Sequence, residues 1–290
     1  LVADIVRALP AGAVEIELAD EELSIKAGRS HFSVRPLALD DYPTRGEPCG
    51  EGVPLPAGVM SEALRQVVRA AATDDARAVL TGVLLAAEDD GLRMVATDSY
   101  RLAVRDLPES SVLASGQKVI IPGRALGELA RVIGDVDLTV RLGEREATFE
   151  SGTTRVSTRL IEGEFPNYRN LLPSSYPNLL TVGKASILEA IRRVKILAQD
   201  STPVRLTLGG ATVQLTAITQ DVGNADEEID ATYEGTEMTV AFNPDYLSAG
   251  IEAIDSDDVT LATMDPMKPA VLRGVGQDDY LYLLMPVRVP

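Results

Sequence analysis

Tryptophan is absent from this 290-residue chain, and histidine and cysteine occur once each. A lone cysteine, Cys49, cannot close an internal disulfide, which suits a reducing compartment. A lone histidine, His31, leaves His-based triads and multi-histidine metal sites with almost no material. No run of about 18 apolar residues exists, so no transmembrane helix is expected. Leu1 to Pro10 carries Asp4 and Arg7 inside a helical pattern and does not read as a signal peptide, so a cytoplasmic protein is expected. Positive charge is also scarce: 27 Lys plus Arg against 44 Asp plus Glu give a net charge of −17. Such a balance argues against a protein that grips nucleic acid by its phosphates. What remains is ample apolar material (45%) for packed cores, no low-complexity segment, and a length that suits two or three domains.

The apolar residues recur in a pattern. Five segments place them at helical spacing: Val2, Ile5, Val6 and Leu9; Leu64, Val67, Val68 and Ala71; Leu126, Leu129, Ala130 and Ile133; Ile187, Ile191 and Val194; Leu247, Ile251 and Ile254. Each precedes an alternation typical of half-buried strands, beginning at Val14, Val83, Val136, Val204 and Val259. Those starts are 69, 53, 68 and 55 residues apart, so alternate starts differ by 122, 121 and 123. Tyr42-Pro43 recurs as Phe165-Pro166, and Pro122 as Pro244. A period near 122 residues implies duplicated domains, with residue 1 falling about halfway through a unit. The expected organisation is residues 1–50, 51–175 and 176–290, in an α+β architecture with antiparallel sheets.

No catalytic constellation stands out. Asp40-Asp41, Asp74-Asp75, Asp89-Asp90 and Asp257-Asp258 fall mostly in turns and read as solvated carboxylates. His31 lies in an alternating strand opposite Phe32 and Val34, where a solvated histidine is expected, and Cys49 reads as inert. Gly209-Gly210 and Gly274-Val275-Gly276 match hairpin turns and no phosphate loop. No cofactor or metal is implied. Basic residues instead recur on the helices, either as one polarised surface or as ordinary solvated faces. The apolar ending Tyr282 to Pro290 is either a core strand or the lining of a slot for a partner's side chains.

Three segments carry a family resemblance. Val95-Ala96-Thr97-Asp98-Ser99-Tyr100-Arg101-Leu102-Ala103-Val104, Gly163-Glu164-Phe165-Pro166-Asn167-Tyr168 and Tyr282-Leu283-Leu284-Met285-Pro286-Val287-Arg288 together resemble the bacterial DNA polymerase III beta subunit family, in that family's order and spacing. The resemblance implies tandem clamp domains in a DNA clamp fold, with helices lining a channel and sheets outside, and with the first half of the N-terminal domain lacking. It implies a non-enzymatic processivity factor that encloses duplex DNA as a head-to-tail ring dimer. Replicative polymerase, clamp loader and repair proteins would bind it through short linear motifs. A protein-interaction scaffold that never encircles DNA is the alternative. A hydrolase built on an Asp pair is disfavoured by the missing tryptophan and near-missing histidine.

The resemblance also assigns residues. The partner slot would comprise Leu80, Thr97, Ser99, Tyr100, Arg101, Leu102, Pro166, Asn170, Leu171, Pro269, Leu283, Met285, Pro286 and Arg288. Ser99 and Tyr100 stand where other clamps often carry Gly and His, and Asn170 where Arg is common. DNA would be faced by Arg7, Arg65, Arg69, Arg77, Arg124, Arg131, Arg192 and Arg193. Ring closure would bring Arg29, Phe32 and Val34 of one copy to Ile196 and Leu197 of another, with Asp226, Glu227 and Glu228 pairing near Arg29, and an edge strand Phe32 to Leu37 extending the neighbour's sheet.

Overall fold

A computed structural model describes residues 1–19, 21–38, 40, 42, 50–134, 136–172, 175–198 and 202–288. Pro43, Cys49 and part of each sequence-inferred domain junction lie outside the described residues. Contacts divide the chain into two compact units, Leu1–Glu47 and Pro48–Pro290.

The first unit holds helix α1 (Val2–Ala8) and strands β1 (Glu15–Ala19), β2 (Glu22–Ala27) and β3 (Ser30–Val34), paired antiparallel in the order β1-β2-β3. Alternation puts Ile16, Leu18, Leu23, Ile25, Ala27, Phe32 and Val34 on one face. Only Ile25 and Ala27 are buried there among the described residues, while Ile16 and Leu18 are 56% and 66% exposed. Helix α1 buries nothing, so the amphipathic face expected from Val2, Ile5, Val6 and Leu9 forms but has too little facing surface to cover it. The edge strand expected over Phe32 to Leu37 ends at Val34, before Pro36, whose ring cannot donate to a ladder.

The second unit repeats one motif four times: a strand, a helix, then three strands. The first copy is β4 (Gly52–Leu55), α2 (Ala57–Val67), β5 (Gly82–Glu88), β6 (Gly91–Thr97) and β7 (Arg101–Pro108). The second is β8 (Lys118–Pro122), α3 (Gly123–Val132), β9 (Leu138–Leu142), β10 (Glu146–Ser151) and β11 (Thr154–Arg159). The third is β12 (Asn178–Gly183), α4 (Lys184–Val194), β13 (Val204–Gly209), β14 (Thr212–Thr219) and β15 (Gly223–Asp230), followed by the short β16 (Thr232–Glu234). The fourth is β17 (Met238–Phe242), α5 (Pro244–Glu252), β18 (Asp258–Thr263), β19 (Ala270–Gly274) and β20 (Tyr280–Leu284). Local chemistry starts the helices. Pro244 occupies the first turn of α5, and the Asn243 side chain accepts from the N–H groups of Asp245 and Tyr246 at 2.8 and 3.2 Å.

These strands form two four-stranded sheets, β11-β10-β9-β4 and β15-β14-β13-β17, and one nine-stranded sheet, β16-β12-β18-β19-β20-β7-β6-β5-β8. The nine-stranded sheet exists because β20 pairs with β7, in register Tyr280↔Arg105 through Leu284↔Arg101. Alternation gives it two apolar faces. Ala103, Leu107, Tyr280, Tyr282 and Leu284 join one large core with α2 to α5. Leu102, Val104, Leu281 and Leu283 join a second core, capped by Phe165 and Tyr168 of the connector. A strand buried on both sides reads as an unbroken apolar run, which explains the end of the chain.

One polar layer crosses the helix side of that seam. Arg105 of β7 lies 2.6 Å from Asp279 and 3.7 Å from Glu62 of α2. Gln66 donates to the Ala253 carbonyl at 3.1 Å and to Glu62 at 3.2 Å. Burial, then the neighbouring Asp255, raise the Glu62 carboxyl above its ordinary value, against the opposing pull of Arg105.

A carboxyl raised in the folded state contributes stability that is complete below its unfolded value and is lost as pH rises through the folded one. Glu62→Gln, neutral at every pH, escapes that loss. The difference in Tm between Glu62→Gln and the parent is therefore expected to grow in the variant's favour from pH 4.5 to pH 7.5. A difference independent of pH in thermal unfolding would contradict this.

Candidate partner slot and helix face

The slot expected from sequence centres on the tight turn between β6 and β7. Asp98 organises it: its carboxylate accepts from the N–H groups of Tyr100 and Arg101 at 2.9 and 3.0 Å and pairs with the Arg101 guanidinium at 3.0 Å. Thr97 Oγ1 accepts from the Ser99 N–H at 3.1 Å and donates to the Arg101 carbonyl at 2.7 Å. The end of the chain is tied to this turn. The Met285 N–H donates to the Tyr100 carbonyl at 2.9 Å, and the Val287 N–H to the Ala241 carbonyl at 2.8 Å.

Tyr246 of α5, which sequence reasoning missed, stands against the same turn. Its ring centroid lies 6.4 Å from that of Tyr100, and the Arg101 guanidinium stands 4.4 Å from it. In a chain with only eight tyrosines and four phenylalanines, an aromatic on a helix face was the available signal. Burial pushes the Tyr282 hydroxyl up to about 12, so it stays protonated and accepts from Arg101 at 3.4 Å. Burial disfavours the Arg101 charge, but Tyr282 and Asp98 outweigh it and the net direction is upward.

The fourteen expected residues divide by burial. Leu80, Leu102 and Leu283 are at most 3% exposed and present almost no surface, Leu102 and Leu283 packing together in the second core. Thr97 is buried too and acts on the backbone. Tyr100 (61%), Leu171 (43%) and Met285 (38%) carry the exposed apolar surface. Pro166 and the Asn170–Leu171 turn belong to the connector whose Phe165, Tyr168 and Leu172 pack with Leu102 and Leu283. Pro269 precedes Ala270, the partner of Leu284. Pro286 and Arg288 continue past β20, with Arg288 exposed. A neighbouring groove of about 560 Å³ along Ala86 to Glu88, Gly116 to Lys118 and Glu164 to Arg169 shares only Pro166 with the set.

The basic residues divide more sharply. Arg65 donates to the Glu252 carbonyl at 3.2 Å and pairs with Asp255 at 2.7 Å. Arg69 donates to the Ala249 carbonyl at 2.8 Å, and Lys184 of α4 donates to the Ile254 carbonyl. Cations from α2, from the 3-10 turn Val68–Ala70 that follows it and from α4 thus satisfy the carboxyl end of α5, where the helix leaves carbonyls unpaired. Arg193 is held by Glu227 and Glu189, and Arg131 pairs with Glu128 at 2.8 Å. Arg7 pairs with Asp4 at 3.2 Å within the first unit. Arg77 lies in a 3-10 segment, Asp75–Thr81, and donates to Ser99 Oγ at 2.9 Å, which ties it to the β6–β7 turn. Arg124 and Arg192 are exposed, with no ion pair among the described residues. The helices α3, α2, α5 and α4 follow one another, since α2 packs on α3, α4 on α5, and the two pairs meet through Arg65, Gln66 and Arg69.

Of the residues expected at ring closure, Arg29 lies beside the edge strand β3, Phe32 and Val34 within it, and the acidic trio on the edge strand β15, while Ile196 and Leu197 follow α4. The trio is not one patch. Glu227 shares the inner face of β15 with Ala225 and Ile229 and is bound by Arg193, which holds its carboxyl below the usual range. Asp226 and Glu228 face outward. Ile196 is 80% exposed, and Thr219 donates to the Leu197 carbonyl, drawing in a β14–β15 turn whose Ile218 and Val222 are also exposed.

Duplicated strand–helix–three-strand motifs joined through one nine-stranded sheet, with a tight hydrogen-bonded turn beside the join, define a clamp-type fold. Comparison with known proteins is more specific. Models of the DNA polymerase III beta subunit match end to end: N-terminal domain over residues 1–45, central domain over 54–167, C-terminal domain over 169–288. The beta sliding clamp of Streptomyces coelicolor is 34% identical over all of this chain and 80% of its own length, and that of Staphylococcus aureus 31% over 98% and 77%. The chain superposes on the crystal structure of the Bacillus subtilis sliding clamp with a TM-score of 0.88 at 27% identity, covering 100% of this chain and 78% of that one. The Pseudomonas aeruginosa clamp bound to griselimycin gives 0.87 at 28%, covering 99% and 79%. The chain belongs to the bacterial DNA polymerase III beta subunit family, the beta sliding clamps.

Arg69→Ala is expected to destabilise the chain by about 1–3 kcal/mol, the scale for a hydrogen bond from a charged group to a carbonyl left unmet. Arg192→Ala is expected to leave stability within about 0.5 kcal/mol, as for an ordinary surface change. Equal midpoints for all three proteins in urea would contradict the structural role of Arg69.

Proposed function

We propose that the chain acts as a sliding clamp, a non-catalytic processivity factor that encircles duplex DNA and tethers a replicative polymerase and other partners in the cytoplasm. The observation that carries this is end-to-end agreement with the three-domain family together with the contiguous row α3-α2-α5-α4. Arg124 and Arg192 lie along that row as exposed cations with no ion pair among the described residues, and the exposed Arg131 pairs there with Glu128. Enclosure requires only a diffuse positive potential, because tight phosphate contacts would oppose sliding.

The domain spans are residues 1–50, 51–175 and 176–290. Ring closure sets the β3 edge, with Arg29 and Phe32, beside the β15 edge of a second copy, with Asp226, Glu228 and the apolar Ile196 and Leu197. Clamp loader, polymerase and repair proteins would use the slot through short linear motifs, their apolar side chains lying over Leu171, Met285 and Tyr100 and their polar atoms meeting Arg101.

Light scattering of the purified chain is expected to give twice the 30.9 kDa chain mass. Ile196→Asp is expected to reduce it to the single value. After loading onto a nicked circular plasmid, linearisation is expected to release the protein. Retention equal to that on the closed circle would sink topological binding, and a monomer at micromolar concentration would favour an interaction scaffold that does not encircle DNA.

A further inference from the structure

The turn at the centre of the slot is held in a backbone conformation that its residues disfavour. Ser99 has φ of +80°, in the left-handed region that glycine enters freely and residues with a Cβ avoid. Three hydrogen bonds within the turn support it: from the Ser99 N–H to Thr97, and from the Tyr100 and Arg101 N–H groups to Asp98. Among the described residues, one side chain from another element donates into it. Arg77 gives Nη1 to Ser99 Oγ at 2.9 Å and brings Nη2 to 3.5 Å from the Asp98 carbonyl. Arg77 itself leaves the helical path of its 3-10 segment, at φ −129° and ψ 82°.

The geometry points to Arg77 as a positioning residue for partner binding. By holding Ser99 in its left-handed conformation, it fixes the Tyr100 ring beside Tyr246 and the Tyr100 carbonyl beneath the Met285 N–H. Off-preference backbone at a binding loop persists only where its surroundings over-determine it, and Arg77 is the part of those surroundings that lies outside the turn. The inference rests on the slot receiving partner motifs. It assigns Arg77 to orientation of the turn, with no contact to the ligand.

Glycine at position 99 separates orientation from contact, because it adopts φ of +80° without support. Griselimycin, the ligand of the Pseudomonas aeruginosa clamp structure, is the probe, titrated calorimetrically into the full chain and its variants, each first checked for an unchanged unfolding midpoint. Arg77→Ala is expected to weaken binding by about 5- to 10-fold, the scale of one exposed charged hydrogen bond. Arg77→Ala/Ser99→Gly is expected to recover affinity to within about twofold of the parent, on the same scale. Loss without recovery would mean that Arg77 touches the ligand, and unchanged affinity in Arg77→Ala would mean that the turn needs no external support; either overturns the inference. If the parent fails to bind, or Met285→Asp binds like the parent, the slot reading fails and takes the positioning role with it.

Discussion

The pairing of β20 with β7 is the contact on which the second unit depends. Without it the motifs on either side of the connector would close separate sheets, each with an exposed edge. With it, nine strands share one ladder, and a strand 180 residues away in sequence completes the environment of β7. Leu102 and Leu283 face each other on one side, Ala103 and Tyr282 on the other. Each of these leucines is buried, worth about 1.5–3 kcal/mol. The same register places Leu284 opposite Arg101, which carries Met285 to the β6–β7 turn. The slot proposed for partners therefore depends on the join: Leu102 and Leu283 of the second core lie beneath the turn, and the join brings the turn and the chain end together.

The helix side of the join is polar where the other side is apolar. Arg105, Glu62, Gln66 and Asp279 fill the space between α2 and the strands, and α2 in turn donates to the end of α5. Two buried polar atoms, Gln66 Oε1 and Arg105 Nε, find no partner among the described residues. That division between the two sides suits a molecule in which the two halves must align in one way across a long sheet.

Much of this was legible in the sequence, for a definite reason. Helical and strand periodicities survive wherever a face is buried, so five helices and their following strands could be placed from Val, Ile and Leu spacing alone, and the period near 122 residues marked the duplication. What periodicity cannot carry is the identity of the second partner of a charged side chain. Arg65 and Arg69 share a helix face with spacing that fits an exposed basic stripe, yet their hydrogen-bond partners lie about 180 residues away on α5. Glu227 sits between Asp226 and Glu228 in sequence, but the strand alternation turns it to the opposite face, where Arg193 waits. Tyr246 stands out in the sequence only as an aromatic on a helix face, and its place beside Tyr100 follows from the fold that brings α5 to the β6–β7 turn. Val136 was assigned to a strand that begins at Leu138, an ordinary error at an element end.

The internal use of arginine changes how the net charge of −17 bears on DNA. A count of basic residues treats each as available to phosphate, and the structure removes many from that pool. Arg65, Arg69, Arg93, Arg101, Arg105, Arg141, Arg155, Arg169 and Arg193 all hold carboxylates or carbonyls of their own chain. Those left exposed on the helix row are few and separated. A protein gripping DNA by ion pairs would lose affinity under such economy, since each phosphate neutralised releases counterions and each one lost weakens binding. For a closed ring the requirement runs the other way. Retention comes from the closed path of covalent bonds and interfaces, and every strong contact inside it raises the barrier to sliding. The scarcity of free cations, which first argued against a nucleic-acid partner, is what motion along one demands.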